Sequence, residues 1–272
     1  MRENTLKTAW NEGSTTIGLW MATSDAAAAE PLGGLGYDYI CLDLQHGLLD
    51  YADVVPILTA LGSSTAVPLA RAPWNEPGII GKLLDAGSMG VIIPMVNSPA
   101  EAEQAVAACR YAPEGSRSWG PTRAASSLRG TSTDGADSGG YHEGANREIA
   151  CIPMIETKAA VDDLEAILEV EGIDAVYVGP ADLSLSYGLP PATDHPDSAV
   201  YQEALAKIVE LSQARGVVPG IHTVPSLVQH RREQGFQMIT ATSNLLAQIA
   251  GARDSLAEAR GEGGGAGSGS MY

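Results

Sequence analysis

Eight short β-prone runs, each followed by a stretch with helical periodicity, limit most tightly what this chain can fold into. They occupy residues 15–20, 37–44, 66–71, 90–96, 150–155, 175–179, 217–222 and 237–241. Strands that alternate with helices pair in parallel, because each crossover helix must return along the sheet before the next strand can join it. Eight such units in 272 residues predict an α/β fold, a (β/α)8 TIM barrel built as one domain; a doubly wound open sheet is the alternative for the same alternation. Start and stop signals punctuate the helices. Ser98-Pro99-Ala100-Glu101 combines a cap, a proline at the first helical position and a capping-box acid, and Leu84-Asp85-Ala86-Gly87 ends on glycine.

The barrel domain is expected over residues 1–260, with a long insertion at about 111–147 and a Gly-rich, disordered tail at 261–272. The insertion is rich in Gly, Ser, Asp and Arg. Loops of that length are commonly lids or binding loops, and Arg117, Arg123 and Arg129 are candidates to meet the far end of an anionic substrate; the other reading, for residues 131–144, is a solvated, partly disordered segment.

Charge narrows the choice of partners. With 33 acids against 16 Lys and Arg, the formal net charge is -17, which disfavours nucleic acid and anionic membranes. An anionic substrate would then depend on local positive groups, a metal or a placed arginine. Cys41, Cys109 and Cys151 are odd in number, lie in apolar stretches and lack metal spacing, so reduced core thiols are expected. No apolar run reaches membrane-spanning length and residues 1–11 are too polar for a secretion signal, so the expectation is a cytoplasmic protein.

In a barrel of this kind chemistry sits where the strands end. The fifth run closes on Ile155-Glu156-Thr157 and the sixth on Gly179-Pro180-Ala181-Asp182-Leu183-Ser184, so two carboxylates converge on one mouth. Paired acids there suit a hard divalent cation, Glu156 and Asp182 being the metal candidates. They could instead be an acid and base pair working without metal, as in glycoside hydrolysis. The tight Gly179-Pro180-Ala181 turn favours the cation, because its backbone N–H groups can hold a substrate carboxylate beside the ion. A cation chelated by a 2-oxo acid would polarise the ketone.

The second run ends Asp43-Leu44-Gln45-His46-Gly47, which offers His46 as a general base and Asp43 as its orienting partner; a merely structural pair is the competing reading. The third ends on Arg71, whose planar fork suits a developing oxyanion or, alternatively, a salt bridge within the rim. The seventh ends on His222, a pocket candidate. His142, His195 and His230 show no partner in the sequence and read as surface residues. Lysines decide against an imine route: Lys7 precedes the barrel, Lys82 and Lys207 fall within helices, and Lys158 begins one. Gly33-Gly34-Leu35-Gly36 precedes a strand, so it is no dinucleotide fingerprint, and no phosphate loop or nucleophile elbow occurs.

Taken in order, Leu42-Asp43-Leu44-Gln45-His46-Gly47, Pro68-Leu69-Ala70-Arg71, Ile92-Ile93-Pro94-Met95-Val96, Met154-Ile155-Glu156-Thr157 and Gly179-Pro180-Ala181-Asp182-Leu183-Ser184 resemble the HpcH/HpaI aldolase family of metal-dependent class II pyruvate aldolases. The resemblance covers roughly residues 15–250. It implies a (β/α)8 barrel, a homo-oligomer, usually a hexamer of paired subunits that exchange their last helix, and a divalent cation such as Mg, Mn or Co. It implies Glu156 and Asp182 as metal ligands, Arg71 on the pyruvate enolate, and Asp43 with His46 as an acid and base dyad acting through water. Backbone at Gly179 and Ala181 would hold the pyruvate carboxylate. The implied reaction is reversible cleavage of a 4-hydroxy-2-oxo acid, such as 4-hydroxy-2-oxoheptanedioate or a related sugar acid, to pyruvate and an aldehyde. Three positions depart from the pattern: Gln45 where Glu is frequent, Met154 where some members carry Gln, and His222 in place of an apolar residue. Citrate-like or acyl-CoA lyase or synthase chemistry is the alternative within the superfamily, and an organic-acid sensor is the alternative outside enzymes.

Overall fold

A computed structural model of the protein describes residues 1–128 and 140–262. Arg129, the greater part of the 131–144 segment and the tail beyond residue 262 lie outside the described residues. The strands are β1 (Thr16–Met21), β2 (Tyr39–Asp43), β3 (Val67–Arg71), β4 (Gly90–Ile93), β5 (Ala150–Pro153), β6 (Ala175–Val178), β7 (Val218–His222) and β8 (Met238–Ser243). The helices before the insertion are α1 (Thr5–Asn11), α2 (Ala26–Gly33), α3 (Tyr51–Ala60), α4 (Pro77–Asp85) and α5 (Pro99–Cys109). Then come α6 (Ala124–Ser127), α7 (Tyr141–Glu148), α8 (Lys158–Asp162), α9 (Leu164–Leu168), α10 (Pro180–Ser186), α11 (Ala199–Ala214), α12 (Val228–Glu233) and α13 (Asn244–Ala259).

All eight strands lie in one sheet in the order β5-β4-β3-β2-β1-β8-β7-β6, with every named pairing parallel. The two ends of that order meet through a parallel bridge between Met154 and Tyr177, with the Ile155 N–H donating to the Tyr177 carbonyl at 2.9 Å. The sheet is therefore a nearly closed barrel with flanking helices, as the repeat predicts. Helices cover the outside and side chains fill the inside, so β2 and β3 are buried at every residue and their sequences read as continuous apolar runs.

The interior filling sets the depth of the mouth. Tyr39 and Tyr177 cross the barrel and both meet the Thr240 hydroxyl, the Tyr39 oxygen at 2.9 Å. Gly18 makes room for this layer, since a Cβ there would fall inside the Tyr39 ring. Trp20 stacks above Tyr177 with ring centroids 5.7 Å apart and forms the floor of the mouth.

The cap signals fold as read. The Ser98 hydroxyl accepts the Glu101 N–H at 3.3 Å, although the Glu101 carboxylate reaches back to the Asn97 N–H, at 2.6 Å. Gly87, just past α4, has φ +110°. The insertion corrects an expectation. It joins α5 to β5, and a helix-to-strand connection lies at the N-terminal face of a parallel barrel, opposite the mouth. Arg117 is buried there, donating to Asp85 at 2.6 Å and to the Tyr141 hydroxyl at 3.2 Å. Arg123 donates to the Ala86 carbonyl at 2.6 Å. Neither lines the mouth cavity, so neither can meet a substrate held there.

Candidate active site

The C-terminal strand ends enclose a cavity of about 270 Å³ lined by Trp20, Asp43, His46, Arg71, Met154 and Glu156 on one side. Ala22, Tyr177, Gly179, Pro180, Ala181, Asp182, His222 and Ser243 complete the wall. The eight residues read from the strand ends, Asp43, His46, Arg71, Glu156, Gly179, Ala181, Asp182 and His222, thus face one space, and the insertion arginines do not.

Asp43 and Arg71 are register partners on β2 and β3. Arg71 Nε donates to Asp43 Oδ1 at 2.8 Å and Nη2 to Oδ2 at 2.7 Å, a two-pronged pair almost wholly removed from water. Oδ1 also accepts the Gln45 N–H at 3.1 Å and the His46 N–H at 3.3 Å. Burial alone would raise the Asp43 carboxyl; the Arg71 bonds and charge outweigh it and hold the group below its ordinary range. Asp43 therefore grips the arginine and the turn that carries His46, while the imidazole itself stands exposed at the rim. The remaining guanidinium nitrogen, Nη1, meets only Met154 Sδ at 4.0 Å. Trp20 lies under the guanidinium at 4.3 Å, which fixes its plane.

Glu156 is 2% exposed, and no basic side chain of the described residues pairs with it. Its Oε1 accepts the Met95 N–H at 2.8 Å. Met95 takes φ +57°, the one non-glycine in the left-handed region among the described residues. That conformation turns the backbone after β4 so that the N–H points at the carboxylate, a strained arrangement placed at the mouth. Asn97 holds the turn by donating to the Met95 carbonyl at 2.8 Å and is itself bonded to the Thr157 hydroxyl. Burial pushes the Glu156 carboxyl up to about 7, the Met95 N–H opposes the rise and the Asp182 charge adds to it. Gly179 completes the cradle, since a Cβ there would strike Glu156 Oε2 and the Met154 methyl.

The sequence profile of the HpcH/HpaI aldolase/citrate lyase family matches residues 16–249. The chain belongs to the HpcH/HpaI family. A hydroxypyruvate/pyruvate aldolase of Rhizorhabdus wittichii is 38% identical over 258 residues, 94% of this chain and 99% of that protein. A 4-hydroxy-2-oxo-heptane-1,7-dioate aldolase of Escherichia coli is 36% identical over 217 residues, 79% of this chain and 80% of that protein. Among solved structures, an HpcH/HpaI aldolase/citrate lyase family protein from Burkholderia cenocepacia superposes with a TM-score of 0.81 at 30% identity, over 94% of this chain and 99% of that one.

The HpcH/HpaI site of this chain suits a divalent cation by its donor chemistry. Among the described residues no group of three or more His, Cys, Asp or Glu is placed to hold a metal. The carboxylates that the cavity offers to a cation are two, Glu156 and half-buried Asp182, so substrate and water would have to supply the rest of its shell. Magnesium-like ions are commonly held that way. A buried carboxylate lifted toward neutrality beside a second carboxylate gains from a positive charge between them.

His222 meets the Trp20 ring edge-on at 5.0 Å. Burial first, then the Arg71 charge, lowers its imidazole to about 4, so it is neutral near pH 7. The four lysines are spent elsewhere: Lys7 pairs with Asp174, Lys158 with Asp162, Lys207 bonds the Val161 carbonyl and Lys82 sits over Tyr51. Trp20, Tyr177 and Ser243 in the wall, with Met95 and Asn97 behind it, are site residues without a role in the sequence analysis. Trp20 carried a signal, since it ends the first run as Arg71 ends the third. His195, read as a surface residue, is tied to Ser184 and Pro190.

Proposed function

We propose that this HpcH/HpaI protein is a divalent-metal-dependent aldolase that reversibly cleaves a 4-hydroxy-2-oxo acid to pyruvate and an aldehyde. One observation carries the reading: a buried Glu156 without a basic partner shares a small cavity with Asp182 and a fixed arginine, and no lysine lines it. The family match and the aldolase names of the two relatives support the reaction class. A mouth of about 270 Å³ suits a small oxo acid better than a CoA thioester, which sets the aldolase reading ahead of the acyl-CoA alternative.

Glu156 and Asp182 would hold the cation, which when bound supplies a Lewis acid for the 2-oxo group. The chain's own groups then divide the remaining work. Asp43 clamps Arg71 so that Nη1 faces the substrate oxygen on which negative charge grows as the bond breaks. His46 takes the C4 hydroxyl proton. Asp43 Oδ2, which accepts only from Arg71, keeps a lone pair for a water shared with the imidazole. The C3–C4 electrons pass to C3, the aldehyde leaves, and protonation at C3 yields pyruvate. Backbone N–H groups at Gly179 and Ala181 would seat the carboxylate, and neutral His222 would border the aldehyde end.

The proposed enzyme is a homo-oligomer. In α13, sixteen residues long, Asn244 alone is buried, so the helix leaves the barrel with its apolar side chains uncovered. This fits subunits that exchange their last helix.

Stripping divalent ions with a chelator should abolish both cleavage and the exchange of pyruvate methyl protons with heavy water, followed by NMR, and Mn or Mg should restore both. Full turnover by the metal-free protein would overturn the proposal.

A further inference from the structure

Asp182 rides on the first turn of α10, a seven-residue helix whose N-cap is Gly179, so no side chain caps it. What holds that turn comes from behind the site. The Ser184 hydroxyl, wholly buried, donates to the Pro180 carbonyl at 2.6 Å. Having spent its proton there, the hydroxyl can only accept from His195 Nε2, 3.0 Å away. The same nitrogen lies 2.9 Å from the Pro190 carbonyl, which is also an acceptor. Two acceptors facing one ring nitrogen set the tautomer: Nε2 carries the hydrogen and is shared between them.

The imidazole is itself held. Its ring meets Tyr201 edge-on at 5.1 Å, and its backbone carbonyl accepts from Gln202 at 3.0 Å. The preceding Asp194 pairs at 2.9 Å with Arg231, a guanidinium whose side chain is wholly removed from water. Arg231 donates also to the Thr193 carbonyl at 2.8 Å and to Gln234 at 2.7 Å. A continuous polar chain thus runs from α12 through the 189–198 loop to the first residue of α10. The far end of α10 is tied separately, because the Ser186 hydroxyl accepts the Lys158 N–H at 3.0 Å.

We infer that Ser184 and His195 are positioning residues that hold Pro180, and through it Asp182, at the separation from Glu156 that a shared cation requires. The inference rests on the metal-dependent reading above. A site with two protein ligands has no third donor to correct a shift of one of them, so its affinity should follow the placement of α10. Groups that orient ligands from behind typically change metal affinity by about 10-fold to 100-fold when removed.

The test is Mn binding to the metal-stripped full chain, read from the electron paramagnetic resonance of free Mn, alongside the melting temperature in chelator. Ser184→Ala and His195→Phe should each raise the Mn dissociation constant about tenfold while the melting temperature stays near that of the parent. His195→Gln, whose amide can donate to Ser184, should recover most of the affinity. The inference is overturned by a Ser184→Ala dissociation constant within about twofold of the parent, or by affinity and melting temperature falling together in all three variants. Ser184→Ala removes a single oxygen and carries the test should His195→Phe not fold. A parent protein that binds no Mn defeats the metal-dependent reading itself, whereas a parent that binds and variants that match it defeat only the clamp.

Discussion

Glu156 and His222 displace protons in opposite directions on folding, which hides both from a simple pH titration. In metal-free protein Glu156 is pushed from 4.5 up to about 7. Between those values the folded state holds more protons than the unfolded state, so this group's stability contribution is present below 4.5 and is lost as pH rises through 7. The shift corresponds to about 3 kcal/mol. His222 is pushed from 6.5 down to about 4. There the unfolded state holds more protons, so stability is present above 6.5 and is lost as pH falls through 4. The two trends oppose each other between about pH 4.5 and 6.5. Removing one group should expose the other: His222→Asn in chelator should melt at progressively lower temperature from pH 5 to 7.5, and Glu156→Gln should melt at higher temperature from pH 4 to 6.5. Parallel profiles in the two variants would refute the assignment. Saturating Mn should cancel the loss seen in His222→Asn, because a cation favours the ionised carboxylate. Arg71 makes a separate prediction. Arg71→Lys keeps the charge but cannot meet both Asp43 oxygens and the mouth together, so it should lower kcat/KM for cleavage about 100-fold or more. Losing one of the two bonds to Asp43 should also cost about 2 kcal/mol of stability in a denaturant melt.

The turns after the strands line the candidate site, and they differ in how plainly the sequence displayed them. Asp43, Arg71, Glu156 and His222 were legible because each follows a buried apolar run, and in a parallel barrel the end of such a run has one destination. Asp182 was legible for the same reason, with a glycine and a proline marking its turn. The left-handed Met95 left no trace, since methionine carries no signature of positive φ and the conformation is imposed by the Asn97 and Glu156 bonds. The partner of Asp43 was also hidden. A strand reading places Asp43 and Arg71 at one mouth but leaves the register open, and it is the register that puts the arginine opposite the aspartate in place of the imidazole. The insertion was misplaced although the order of elements was available, since a segment that follows a helix and precedes a strand belongs to the opposite face. Gly179 tests the element-level account. Its hydrogen is all that separates the β6–α10 turn from Glu156 Oε2 and the Met154 methyl. Gly179→Ala must push Glu156 aside or tilt α10, and Mn affinity should fall at least about tenfold, with the circular dichroism spectrum unchanged. Retained affinity would show that the cradle has slack.

At the scale of the molecule the last helix stands apart, since in α13 Asn244 alone is buried. Leu245, Leu246, Ile249 and Leu256 of α13 are 36%, 54%, 47% and 50% exposed, and their spacing of three, four and seven residues sets them along one stripe. A stripe of that kind left in water invites association, and a second copy of the same chain presents the complementary offer under two-fold symmetry. Net charge would work against the proposed oligomer: at -17 each copy would repel the next, so such a contact would have to draw its strength from apolar burial. That balance predicts the response to salt. Screening weakens the repulsion and leaves the apolar gain in place, so raising ionic strength should tighten the assembly, where an interface built on ion pairs would loosen. Sedimentation velocity at low and high salt reads the difference. Leu246→Glu combined with Ile249→Glu places two more negative charges on the stripe and should shift the protein to a smaller species whose melting temperature no longer depends on concentration. A parent chain that sediments as a monomer at every concentration would instead require α13 to find its cover on its own barrel.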